Sequence, residues 1–170
     1  MVNLLVMTLV WTVSSFNFYL LSFQVKYFPG NFNVNMLILN ISDCLAYGIS
    51  GYLFTKFRAK VLFLVLFVLA SLASVGIVFS GASDFTFCIF VMVARLSISG
   101  AFNLVYVAHP KMFPTLFSVT SIGFTNIVTR IFTFFAPLLA EVSGPAPMIV
   151  FMVLSALSAM AVPLLYEGHH

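Results

Sequence analysis

Charge is what this chain has least of. Its 170 residues include seven Lys and Arg and four Asp and Glu, 6% of the total, where a soluble domain carries about 25%. That scarcity excludes a water-soluble fold. The net charge of +3 is no nucleic-acid footprint either, because two of the seven cations lie inside apolar runs. Cysteine is scarce too. Cys44 and Cys88 fall at different depths of different runs, which excludes a disulfide between them. No Asp or Glu stands at ligand spacing to His109. No metal site, no cofactor and no enzymatic constellation are therefore expected, and the His169-His170 pair reads as a solvated tail. Met1-Val2-Asn3 has no basic flank, so no cleavable signal is expected. Soluble domains, linkers and low-complexity tracts are lacking as well, which leaves one transmembrane domain over residues 1–170.

Apolar residues fill the rest. They make up 62% of the chain, with a mean hydropathy of +1.16. Six runs emerge, at residues 2–24, 33–55, 61–81, 86–108, 116–140 and 147–166, each near the ~20 residues a span needs. The breaks are Phe28-Pro29-Gly30-Asn31, Thr55 to Lys60, Gly81 to Asp84, His109 to Pro114 and Gly144 to Pro147. Breaks this short force antiparallel helical hairpins, so the fold class is an all-α bundle of six transmembrane helices. The sequon Asn40-Ile41-Ser42 lies inside a run and is expected to be unused. Lys56, Arg58 and Lys60 in the second loop and Lys111 in the fourth place those loops, and both termini, on the inner side of the membrane.

Three charges interrupt the runs. Asp43, Arg95 and Arg130 each lie about ten residues from a run's end, ~15 Å deep at ~1.5 Å per residue. A charge at the bilayer centre costs ~2.5–3.5 kcal/mol by insertion scales, so such residues usually face a bundle interior or a wet cavity. They belong to polar stripes at helical spacing: Thr8, Thr12, Ser15, Tyr19 and Ser22 in the first span; Asn40, Asp43, Tyr47 and Ser50 in the second; Arg95, Ser99, Asn103 and Tyr106 in the fourth; Gly123, Asn126, Arg130 and Thr133 in the fifth. Spans three and six have only the small seams Ser71 with Ser74 and Ser155 with Ser158. The order polar, polar, greasy, repeated once, is that of a three-plus-three inverted repeat whose third helices face lipid, so spans three and six are expected on the side away from spans one and four. Hydroxyl stripes can equally be helix glue, and Asp43 with Arg95 can be an ion pair that neutralises itself.

Short matches scattered over nearly the whole chain give it a likeness. Leu9-Val10-Trp11 with Ser14-Ser15, Gly30-Asn31, Ser42-Asp43-Cys44-Leu45-Ala46, Ala94-Arg95-Leu96-Ser97-Ile98 and Thr129-Arg130-Ile131 with Ala136-Pro137 form one set. Gly51 to Lys60 follows a G-x-x-x-D-R-x-G-R-R pattern, and Lys111-Met112-Phe113-Pro114-Thr115 follows Glu-Leu-Tyr-Pro-Thr. In these the chain resembles the C-terminal six-helix half of a major facilitator superfamily transporter, in the organic-ion branch. The resemblance implies a 3+3 half-bundle and a polar site near the midplane. Organic-anion members tend to have Arg at the position of Arg130 and cation members Asp, so the likeness implies an anion. Asp43 stands where the family has Glu, Thr55 replaces the loop's acid, Arg58 its Gly, and Lys111 the Glu of the second pattern. Those acids help latch the family's inner gate.

Two functions are compatible with this. The first is transport: Arg130, Asn126, Asp43, Arg95, Asn103, Tyr47 and Tyr19 would bind a small organic anion, with Lys56, Arg58, Lys60 and Lys111 as the gating loops. A transporter of this class has two such halves with substrate between them, so the polar face is expected to meet a second half. The second is structural: a transporter-derived accessory subunit of a large membrane complex, such as a respiratory one in the mitochondrial inner membrane, its open face covered by other subunits or a bound phospholipid. In both the bilayer is the main partner.

Overall fold

The computed structural model describes residues 2–79, 84–113, 115–142 and 144–165. The third-loop residues 80–83, the side chain of Asp84, Pro114 and the His169-His170 pair lie outside the described residues. Long apolar stretches give α1 (Val2–Gln24), α2 (Phe32–Lys56), α3 (Ala59–Phe79), α4 (Asp84–Met112), α5 (Thr115–Thr133), α6 (Ala136–Ala140) and α7 (Ala146–Ala161). Short 3-10 turns, Val25–Tyr27 and Val162–Leu164, extend α1 and α7. These elements amount to six helical segments long and apolar enough to cross a membrane, with α5 and α6 sharing the fifth. The protein is an integral, multi-pass membrane protein. Gly30 supplies a φ of +93°, a backbone that side-chain-bearing residues rarely adopt, in the α1–α2 hairpin, and Gly144 does the same before α7. The Asn31 side chain then accepts a hydrogen bond from the Asn33 backbone N–H and starts α2.

Two boundaries differ from the sequence reading. The fourth helix continues through His109, Pro110 and Lys111 to Met112 instead of breaking at His109. Pro110 leaves the Tyr106 carbonyl without its backbone N–H partner, and the helix ends within two residues of it. Burial of His109 between the rings of Trp11 and Phe113 holds the turn in place. The fifth span, read as one helix over 116–140, is instead interrupted at Phe134 and Phe135. Pro137 has no N–H to give the carbonyl of Thr133, four residues back. Its fixed φ suits the first turn of a new helix, and α6 begins there.

The helices pack in exchanged pairs. α1 meets α4 at the centre; α2 packs on α4, while α5 and α6 pack on α1. α3 packs on α4 and α7, and α7 packs on α1. Exchanging the first three spans with the last three reproduces this contact pattern, as an inverted 3+3 repeat requires. The bundle is therefore half of a major-facilitator-type fold. Trp11, Phe63, Phe67 and Phe151 are its largest fully buried side chains. The small seams of the greasy helices do close the packing: Ser74, Ser155 and Ser158 are buried, and the Asn17 amide donates to Ser155 Oγ at 3.0 Å.

Gly76 sets how closely α3 approaches α4. A Cβ built there would meet the Phe90 ring at 2.5 Å. Gly76→Val is expected to lower stability by about 1–3 kcal/mol through overpacking. Gly76→Val with Phe90→Leu should regain most of it. Melting temperatures of the two purified variants check this.

Side-chain ties identify the two ends of the bundle. At one, Lys26 Nζ pairs with Glu141 at 2.8 Å and keeps that carboxyl below its usual range. At the other, Lys60 Nζ donates to the carbonyls of Pro163 (2.6 Å) and Leu165 (3.1 Å), and Lys111 Nζ lies 4.4 Å from the centre of the Phe54 ring. Loops two and four and the end of α7 thus share one end, as the sequence predicts.

Candidate polar site within the membrane spans

Arg95 comes from the middle of α4, and its guanidinium is almost fully committed. Nε donates to Asp43 Oδ1 and Nη2 to Asp43 Oδ2, both at 2.7 Å, a bidentate fork. Nη1 donates to the Phe18 carbonyl and to Ser22 Oγ, both at 2.8 Å. The Phe18 ring lies 3.7 Å from the guanidinium carbon, a cation–π contact that covers its face. Ser99, one turn after Arg95, donates to Asp43 Oδ1. Helical periodicity brings Arg95 and Ser99 to one side of α4 and Phe18 and Ser22 to one side of α1. The side chains of Arg95 and Asp43 are 5% and 15% exposed. The pair therefore clamps α1, α2 and α4 together and leaves little of either charge for a ligand.

Around the clamp stand tyrosines. Tyr47 lies within electrostatic range of Asp43, Arg95, Tyr19 and Tyr106. Tyr47 and Tyr106 are exposed and Tyr19 half-buried. Two turns along α4, Asn103 donates to Ser50 Oγ at 2.8 Å. The tie follows the clamp at nearly the same offset, 53 residues against 52, because α2 and α4 run parallel.

Arg130 and Asn126 are elsewhere. α5 meets α1 through hydroxyls: Thr8 with Thr125 (3.1 Å), Thr12 with Thr129 (3.2 Å) and Ser15 with Thr133 (3.2 Å). This ladder places Arg130 level with Thr12 to Ser15 on α1, whereas Arg95 reaches Phe18 and Ser22. At ~1.5 Å per residue the two arginines differ by roughly 10 Å along α1, so the depth that sequence position assigns them in common is not shared. The clamp sits toward the Lys26–Glu141 end; Arg130 is level with the Trp11–Tyr106 contact, ring centroids 4.7 Å apart. Arg130 is exposed and has no hydrogen-bond or ion-pair partner among the described residues, and Asn126 is half-buried. Of the seven residues expected to form one site, Asp43, Arg95, Tyr47 and Tyr19 come together, Asn103 lies along the same seam, and Arg130 with Asn126 form a separate place on α5. The expected gating residues Lys56, Arg58, Lys60 and Lys111 gather at one end of the bundle.

Sequence reasoning left four contributors without a role. Ser22 and Ser99 were legible only as stripe members, although Ser99 stands four residues from Arg95. Thr125 and Thr129, which bond to α1, belong to a Ser118, Ser121, Thr125, Thr129 periodicity whose Ser121 meets His109 of α4; all four are buried. The hydroxyls of the first span are thus helix glue. A Thr12→Val, Thr129→Val pair of substitutions is expected to cost little, about 0.6 kcal/mol per interhelical bond. Thermal unfolding in detergent tests this.

Comparison with known proteins agrees with this architecture. Human solute carrier family 22 member 13 is 28% identical over 169 residues, 97% of this chain and 31% of the relative. The resemblance to half of an organic-ion transporter holds. An organic cation transporter protein of Drosophila melanogaster is 25% identical over 162 residues, 92% of this chain and 29% of its own length. Human solute carrier family 22 member 16 is 26% identical over 137 residues, 80% of this chain and 24% of its own. The chain spans less than a third of the length of these relatives. No family model matches it. The relatives are transporters, so the chain is transporter-like, and one of them is named for cations.

Proposed function

We propose that this chain forms one half of a pathway for small organic anions, with Arg130 as the group that attracts them. One observation carries the reading. Arg130 is a guanidinium near the middle of a membrane span, exposed and without a counter-charge among the described residues. An uncompensated cation in low dielectric attracts a carboxylate strongly and can hold it with two parallel hydrogen bonds. Asn126, one turn earlier on α5, adds an amide donor; Asn103, Tyr47 and Tyr19 line the neighbouring wall. Asp43 and Arg95 shape that wall and contribute almost no net charge to it. Residues 1–170 act as a single domain, loops two and four and both termini face the inner side, and a complementary half covers the polar face. This reading gives the chain a binding role and no catalytic one, in keeping with relatives that are transporters.

Uptake into membrane vesicles from cells expressing the protein tests this. A small organic carboxylate should accumulate and an organic ammonium ion should not. Arg130→Ala should reduce carboxylate uptake at least about tenfold, the loss of a charge-assisted bond worth 1.5–3 kcal/mol, while the variant stays in the membrane. Equal uptake by Arg130→Ala and the parent, or none by either, would sink the reading.

A further inference from the structure

The geometry points to the end of the bundle that carries loops two and four as a docking surface for anionic phospholipid head groups. Lys56 ends α2, Arg58 lies in the loop that follows, and Lys111 lies in the last turn of α4; all three are exposed. The Lys111 ammonium over the Phe54 ring brings the α4 cation to the last turns of α2, which end on Lys56. Lys60, half-buried beside them, is already spent on the carbonyls of Pro163 and Leu165. No carboxylate among the described residues answers these charges. Asp43 is held by Arg95, and Glu141 is held by Lys26 at the opposite end. Lys56 and Lys111 each complement a helix C-terminus, but such a terminus carries only about half a charge and leaves a surplus. Arg58 lies outside the helices and complements none.

Two exposed rings define what covers this surplus. Tyr52 is 65% and Phe57 55% exposed, both beside Lys56. Aromatic rings next to cations at the end of a span belong at the level of lipid head groups, where the ring enters the acyl boundary and the cation meets phosphate. A soluble phosphate would use the cations and leave the rings in water. At the opposite end Lys26 and Glu141 cancel, so the preference for anionic lipid is confined to one leaflet.

The test compares melting temperatures of the purified chain in phosphatidylcholine bilayers and in bilayers with about a third phosphatidylglycerol. The parent should melt about 4 °C higher with the anionic lipid. Lys56→Gln with Arg58→Gln should remove most of that gain, and adding Lys111→Gln should abolish it. Lys26→Gln, at the other end, should keep it. A gain that survives the triple substitution would overturn the proposal. So would an equal gain from inorganic phosphate added to phosphatidylcholine bilayers, which would make the surface a site for free anions. The readout is independent of uptake, so it stands or falls apart from the role of Arg130.

Discussion

An Asp43→Ala variant is expected to lose about 3–5 kcal/mol of stability, the usual cost of stranding one member of a buried ion pair. The removed carboxylate accepts both arms of the Arg95 fork and the Ser99 hydroxyl. Arg95, only 5% exposed, then keeps its bonds to the Phe18 carbonyl and Ser22 but has no opposite charge. Because the clamp ties α2 to both α4 and α1, the damage should appear as a lower melting temperature and as earlier proteolysis of the α2–α3 loop. The double variant Asp43→Leu, Arg95→Met should be far milder than Asp43→Ala, because apolar groups of similar size replace the pair without an unpaired charge. Equal loss in both variants would show that the hydrogen bonds to α1, rather than the charges, hold the helices.

Arg130→Asp is expected to invert the sign of the transported ion. The substitution replaces the one charge deep in a span that lacks a counter-ion among the described residues. It creates instead the residue that the resemblance associates with cation members. Carboxylate uptake should fall at least about a hundredfold, since repulsion at low dielectric adds to the lost bond. Uptake of an organic ammonium ion should rise above that of the parent. A variant that loses anion uptake and gains no cation uptake would limit Arg130 to assisting binding. Unchanged selectivity would remove it from the pathway.

Much of this architecture is legible in the chain. Hydropathy and short breaks give the six spans, because in hydrocarbon only long apolar helices satisfy their own backbone. The Asp43–Arg95 pair is legible because an acid and a base at mid-span almost oblige each other. What sequence position could not give is relative depth. Arg130 and Arg95 are each about ten residues from a run's end, but helices slide against one another according to local side-chain contacts. Here the Thr12–Thr129 and Arg95–Ser22 registers separate them. The break at Phe134 and Phe135 was also hidden, although its cause, Pro137, was in view: many membrane helices absorb a proline without breaking. Continuation of α4 through Pro110 is the converse case, where burial of His109 outweighs the usual stop signal.

The separation of the two arginines has an electrical consequence. A closed pair such as Asp43 with Arg95 carries no net charge, so a voltage across the membrane exerts almost no net pull on α2 and α4 through it. Arg130 is different. A unit charge carried across the whole field is worth ~2.3 kcal/mol per 100 mV. Among the described residues the side-chain hydrogen bonds between α5 and α1 are all hydroxyl bonds, and the α5 helix stops just beyond Arg130. Any displacement of that helix along the membrane normal would therefore move charge, and an anion bound to Arg130 would silence it. On the proposed reading, the empty form would then respond to voltage and the loaded form would not.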